Sequence, residues 1–251
     1  ASALWSSPPA DILSFPARYL VQFMANHHML DLGRRPPWRV VRGGSSSYIR
    51  ALEAEWTVQV RKSCPVHSVE RRPEGGVDLR IADGTERFDH VVLACRADQA
   101  LELLSAPTAA EREVLGAIPY QINETVLHTD RRLLPRNPRA WAAWNAYLPA
   151  ESDAACTVSY CMNLLQSFES DVPCVVTLNR SHAIDPDRVI ARMRYAHPVY
   201  THGSVAAQSR RAEINGVDRI WYAGAYWGWG FHEDGMRSGV EVANALGIAW
   251  P

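Results

Sequence analysis

The chain has 251 residues, 47% hydrophobic and 21% charged, which suits one large globular core or two modest ones. Its 26 basic and 27 acidic residues leave a formal charge of -1, so no global field draws it to nucleic acid or to an anionic membrane. No apolar run reaches the ~20 residues of a membrane span and no basic-then-apolar leader is present, so a cytoplasmic protein is expected.

Chemistry-bearing residues narrow the field further. Lys62 is the only lysine, which leaves a single position for Schiff-base chemistry. Five cysteines stand at 64, 95, 156, 161 and 174, an odd number never spaced as CxxC. They read as buried free thiols in a reducing compartment, and no metal site is expected.

In chain order, Pro8 to Leu32 reads as a helix, with Ile12, Phe15, Tyr19, Phe23 and Met24 near one stripe, interrupted by Pro16 and ended by Gly33. Arg34 to Pro37 form a connector. Val40 and Val41 lead into Gly43 and Gly44, and a helix follows with Tyr48, Ile49 and Leu52 on one side. A glycine pair there either forms a tight turn or lets backbone approach something closely.

From Val58 to Cys95 the period becomes that of strands. Val66 to Arg71 alternates, Pro73 to Gly76 turns, and Val77, Leu79 and Ile81 form a partner strand before a second turn at Asp83-Gly84. His90 to Cys95 is an unbroken apolar run of the kind seen in parallel strands buried on both faces, and Arg96 to Leu104 is a short helix. The fold class is therefore mixed α/β.

From Pro107 to about Tyr200 the character changes. A helix (Thr108 to Gly116) precedes separated strands at Thr125 to Thr129, Cys156 to Cys161 and Cys174 to Leu178, and Pro186 to Tyr195 reads as a further helix. This is the pattern of a second domain, antiparallel sheet plus helices, inserted between two parts of the first.

The last fifty residues concentrate the signal. Arg219 to Ala223 is a strand ending at Gly224, and the loop from Ala225 to Gly235 leads to a helix that continues to Leu246. Asp234 suits its N-cap and Gly247 its end. Met236, Val240, Ala243 and Gly247 share one face, and Gly239 would allow close packing on the sheet. A strand, a glycine-rich loop and a helix N-terminus present backbone N–H groups and partial positive charge, which suits a phosphate or the electron-rich edge of a reduced flavin. Trp221, Tyr222, Tyr226, Trp227, Trp229 and Phe231 could wall such a ring, or could simply staple the loop into the core.

The run Tyr222-Ala-Gly-Ala-Tyr-Trp-Gly-Trp-Gly-Phe-His-Glu-Asp-Gly-Met-Arg-Ser-Gly-Val-Glu-Val-Ala resembles the C-terminal FAD motif of the flavin amine oxidase superfamily, which also holds phytoene desaturases and protoporphyrinogen oxidase. Within it the chain is most similar to bacterial predicted NAD/FAD-binding proteins. The stretches Trp38 to Ser45, Tyr160 to Gln166 and Val176 to Asn179, and the placing of His197-Pro198, fit that group as well.

The resemblance implies an FAD-dependent oxidoreductase acting on an apolar or lipid-like small molecule. It implies a substrate or cap domain from 1–40 and 107–200, and an incomplete FAD-binding domain from 41–106 and 201–251. Carried over by position, Gly224 and Ala225 lie beside the ribityl phosphate, and Glu233, Asp234, Gly235 and Met236 open the helix that points at the flavin. Gly230, Phe231 and His232 belong to the same loop. Val66 meets adenine through its backbone, and Ala94 ends the buried strand near the pyrophosphate. His232 is the candidate catalytic residue: it polarises flavin or substrate, or else bonds backbone.

Two departures qualify this. Lys62 is not where the superfamily's flavin-facing lysine is expected, and the N-terminal GxGxxG unit with its acidic ribose ligand is not found in this sequence. The alternative is thus a truncated, non-catalytic remnant or a subunit, with a partner segment supplying the nucleotide-binding unit. A stand-alone lipid-binding module in 107–200 is a third reading. Other constellations are weaker: His27-His28 point apart on a helix, His197 and His202 flank Pro198, there is no GxSxG, and Asp185-Pro186-Asp187 reads as a helix start.

Overall fold

The computed structural model describes residues 15–33, 37, 39–148 and 157–249. Pro8, Ile12, Arg34, Trp38 and Cys156, used above, lie outside the described residues. Contacts divide the chain into two units, the described residues of Ala1–Gln59 with Gln121–His197, and of Val60–Tyr120 with Pro198–Pro251.

The first unit holds helices α1 (Ala17–Asn26) and α2 (Ser46–Glu55) and a five-stranded sheet. Its strands are β5 (Tyr120–His128), β6 (Trp144–Tyr147), β7 (Thr157–Cys161), β8 (Val175–Leu178) and β9 (Val189–Pro198), in the order β6-β7-β8-β5-β9. The β6–β7, β7–β8 and β5–β8 pairings are antiparallel. One sheet face is closed by Val126 with Leu133 and Ile184, and by Cys161 and Val175 with Leu134. α1 buries Tyr19 and Phe23. It begins after Pro16, its N-cap, and it ends at Asn26 where His28 turns left-handed (φ 54°).

One expected helix is a strand. Pro186–Arg188 make a single 3-10 turn capped by the Asp185 carboxylate, and β9 then runs from Val189. Val189, Ala191 and Met193 are half-buried while Ile190, Arg192 and Arg194 are exposed, a period of two that overrides the Pro-at-N1 signal.

The second unit holds β1 (Val66–Arg71), β2 (Val77–Ile81) and β3 (Gly84–Phe88) as an antiparallel meander, and β4 (Val91–Leu93) parallel to β10 (Ile220–Tyr222). Around them lie α3 (Ala97–Leu103), α4 (Ala109–Gly116), α6 (His202–Ser209) and α7 (His232–Ala245); the short α5 (Met162–Leu165) belongs to the first unit. Val69, Val77, Val91, Leu93, Leu115, Ile214, Ile220 and Tyr222 form one buried cluster, each large apolar side chain contributing about 1.5–3 kcal/mol. In β4, Val91 and Leu93 are buried but Val92 is 43% exposed, so only one face of the apolar run is covered within the described residues. α4 is held by a capping box: Thr108 Oγ1 accepts from Glu111 N at 3.2 Å, and Glu111 Oε2 accepts from Thr108 N at 2.7 Å. Glu111 also accepts from the Tyr222 hydroxyl and pairs with Arg71, which ties helix, meander and β10 together.

Candidate functional site

The parallel pair carries the chain to one end of the sheet. Ala223 N donates to Leu93 O at 3.1 Å, so Ala94 and Gly224 emerge side by side from neighbouring strands. The Gly224 N–H is taken by Ser238 Oγ of α7 at 2.8 Å, and that hydroxyl donates in turn to Gly235 O at 2.7 Å. Ser238 thereby fixes α7 against the strand ends. Arg211 adds bonds to Tyr222 O at 3.3 Å and Ser238 O at 2.9 Å.

The loop between β10 and α7 is pinned from three sides. Gln208 Nε2 donates to Tyr226 O at 2.9 Å and Gly228 O at 2.8 Å. The Asp234 carboxylate, 3% exposed, accepts from Trp229 N at 2.9 Å and Phe231 N at 3.0 Å, and meets Arg237 at 2.5 Å. Gly230 (φ 91°) lies against Tyr200, whose hydroxyl would be 2.6 Å from a Cβ at that position. Asp234 is therefore not the N-cap: the helix starts at His232, and Asp234 reaches back from its first turn.

A cavity of about 440 Å³ opens beside these elements. Ala94, Ala223, Gly224 and Ala225 line it from the strand ends, and Gly235, Met236, Gly239, Val240 and Ala243 from α7. Of the residues singled out in the sequence, Ala94, Gly224, Ala225, Gly235 and Met236 thus come together. Gly230, Phe231, His232, Glu233 and Asp234 form the adjoining loop and first turn but do not line the cavity, and Val66 opens β1, packed on the core cluster. Sequence reasoning missed Ala223, Gly239, Val240 and Ala243 as lining residues, although Gly235, Gly239 and Ala243 recur at the helical spacing of four.

The structure bears out the shared face of Met236, Val240 and Ala243, corrects the packing of Gly239, and decides between the two readings of the aromatics. Met236, Val240 and Ala243 face the cavity, while the buried side of α7 carries Asp234, Ser238 and Val242. Gly239 does not pack on the sheet, since a Cβ there would meet nothing within 4 Å. The aromatics do not wall the cavity. Tyr222 and Tyr226 are buried in the core, burial holding both phenols far above their usual range, and Trp221 packs on Gly216 and reaches His90.

The lining fits the uncharged parts of a flavin. It is made of small residues, it has no ionisable side chain, and at Gly235 and Gly239 the missing Cβ leaves room for a planar ring or a chain. The opening turn of α7 contributes its partial positive charge beside it. Among the described residues no basic side chain faces the cavity to balance a pyrophosphate.

Among the described residues no group of three His, Cys, Asp or Glu side chains could hold a metal ion, and no helix is long and apolar enough to cross a membrane. Cys161 is fully buried, whereas Cys64, Cys95 and Cys174 are half-buried, all four as free thiols.

Residues 11–146 match the family model described as flavin containing amine oxidoreductase. Solved structures share the fold at low identity. The CLA-producing fatty acid isomerase from P. acnes aligns with a TM-score of 0.59 at 13% identity, over 82% of this chain and 52% of that one. A putrescine oxidase variant with redesigned cofactor binding gives 0.55 at 11%, over 82% and 53%. Reduced UDP-galactopyranose mutase gives 0.62 at 12%, over 100% and 64%. The chain thus spans between 52% and 64% of these three proteins. No curated protein matches it.

Proposed function

The chain belongs to the flavin containing amine oxidoreductase family, and from that membership we propose that it is part of an FAD-dependent oxidoreductase acting on an apolar, lipid-like small molecule. The observation that carries this reading is the cavity between the ends of two parallel strands and the start of α7, lined by small uncharged residues. Crevices at the carboxyl ends of parallel strands are where open α/β sheets take their ligands.

The second unit would hold the cofactor in part, and the sheet of the first unit would take the substrate. FAD, when bound, would supply the centre that accepts a hydride from a C–H bond, including one α to nitrogen. The chain's own residues do the rest. Ala94, Gly224, Ala225, Gly235 and Gly239 let backbone approach the ring system and keep water out of the contact. Asp234, Gln208 and Ser238 hold the loop and helix start in place. His232, on the first turn of α7 and one turn before Met236, is the residue proposed to polarise bound flavin or substrate. A small molecule, not nucleic acid, is the proposed substrate, and the cytoplasm the proposed compartment.

One observation favours a second, linked reading. Within the described residues the parallel sheet has two strands of three residues each, and parallel sheets are stable when extended and covered on both faces. A further segment carrying the glycine-rich dinucleotide-binding turn would extend β4 and supply the pyrophosphate cradle that the cavity lacks. The chain alone is then a weak or non-catalytic FAD binder.

The test is the visible spectrum of the purified chain with and without FAD, at equilibrium and after gel filtration. Perturbed flavin bands that survive filtration support the full site, and bands perturbed only at equilibrium support the version that needs a partner segment. An unperturbed flavin spectrum at every concentration overturns both.

A further inference from the structure

Three residues far apart in the chain meet on the sheet of the first unit. Asn123 on β5, Asn179 just after β8 and His197 on β9 form a line of side-chain hydrogen bonds. Its polarity can be read from one end. The Glu124 backbone N–H can only donate, and it donates to Asn179 Oδ1 at 3.0 Å. Asn179 must therefore point its Nδ2 the other way, to Asn123 Oδ1 at 2.6 Å, an oxygen that also accepts from Gln121 Nε2 at 3.3 Å. That leaves Asn123 Nδ2 facing His197 Nδ1 at 2.8 Å. Nδ1 has to accept, so the imidazole carries its hydrogen on Nε2.

Two features keep this state in place. Asn123 is 0% exposed and cannot swing away. Asn179 holds a left-handed backbone (φ 55°), in which its own N–H also reaches Glu124 O at 2.8 Å. Protonating His197 would set N–H against N–H, and burial independently pushes the imidazole below its usual value. The ring is neutral at pH 7 and offers one donor.

The surrounding face is amphipathic. Thr125, two residues along β5 and hence on the same face as Asn123, is 4% exposed, and its buried hydroxyl has no partner among the described residues. Strand register places Leu127, Val176, Tyr160 and Trp144 beyond it on that face. A polar corner adjoins an apolar strip.

We propose that His197 is a recognition residue that donates its Nε2–H to a carboxylate or carbonyl oxygen at the end of an apolar substrate. The assignment rests on the oxidoreductase reading for its biological meaning and names the substrate class within it. A neutral Nε2–H does not accept a hydrogen bond, so an ammonium group gains nothing there and amines are disfavoured at this position.

The experiment is NMR of the full chain labelled with 15N-histidine, at about pH 8 and about pH 6. His197 should show a bare Nδ1 and a protonated Nε2 at both. In Asn123→Asp, a carboxylate of the same shape, the hydrogen should move to Nδ1 and the titration should rise. Sodium octanoate should shift the His197 Nε2–H signal, octylamine should not, and octanoate should bind at least about tenfold more weakly to His197→Ala. His197→Gln, which keeps a donor near that point, should recover most of the loss. This variant also carries the test if Asn123→Asp does not fold. A protonated Nδ1 in the unaltered chain, an octylamine response equal to that of octanoate, or no octanoate response overturns the proposal. None of these readouts needs flavin. A chain that takes octanoate at His197 and ignores FAD would lose the oxidoreductase reading alone.

Discussion

Replacing Asp234 by alanine removes one buried carboxylate from three partners, and the structure allows the loss to be apportioned. Oδ2 accepts from Trp229 N at 2.9 Å and Phe231 N at 3.0 Å, and each such charge-assisted bond is worth about 1.5–3 kcal/mol. A carboxylate in the first turn of a helix adds about 0.5 kcal/mol. The Arg237 contact adds little, because that side chain is 51% exposed and its pairing is screened by water. Asp234→Ala should therefore cost at least about 3.5 kcal/mol. Asp234→Asn can keep an oxygen where Oδ2 stands and give up only the charge, at about 1 kcal/mol. Urea unfolding followed by tryptophan fluorescence, with unchanged m-values, measures both. A cost below about 0.5 kcal/mol for Asp234→Ala would show that the carboxylate does not hold the loop and that the account of the α7 entry is wrong.

Two further outcomes follow from the same unit. Burial alone would raise the Glu111 carboxyl, but hydrogen bonds from Tyr222 and Thr108 and the charge of Arg71 outweigh it and hold the group below its ordinary value. A lowered folded-state value gives stability that is present above the unfolded value of about 4.3 and is lost as pH falls through the folded one. Urea midpoints should therefore drop below about pH 4.5 in the parent, and Glu111→Gln should be less stable at pH 7 with a flatter acid limb. Gly230→Ala should cost about 1–3 kcal/mol, from its positive φ and the Tyr200 hydroxyl 2.6 Å from the new Cβ. Tyr200→Phe in that background should regain part of it, as a thermal-melt double-mutant cycle would show.

The mixed α/β class could be read directly from the sequence, because period-two runs at Val66–Arg71 and Val77–Ile81 sit beside glycine-bounded helices. The family could be read from the motif that starts at Tyr222, and it is matched independently over residues 11–146. What stayed hidden depended on tertiary context. β9 looked like a helix because Pro186 after Asp185 imitates a helix start, and only its neighbour β5 settles the period. Asp234 looked like an N-cap by type, yet the backbone groups it satisfies belong to Trp229 and Phe231, upstream of the helix. The aromatics could be read as ring walls or as core staples, because composition cannot tell a ring that faces a ligand from one that fills a core, as Tyr222 does. The Asn123–Asn179–His197 line joins residues 56 and 74 positions apart, and no local pattern announces it.

The central claim is that the cavity beside α7 holds the flavin, and Gly239 gives the most direct access to it. No atom stands within 4 Å of a Cβ there and the residue lies inside a helix, so Gly239→Ala should be stabilising by about 0.5–1 kcal/mol. Gly239→Leu should fold normally and fill the space. The measurement is an FAD titration of parent, Gly239→Ala and Gly239→Leu, followed by flavin fluorescence. The account predicts quenching by the parent and an affinity reduced at least about tenfold in Gly239→Leu at an unchanged melting temperature. Equal quenching by parent and Gly239→Leu would put the flavin elsewhere and contradict the site.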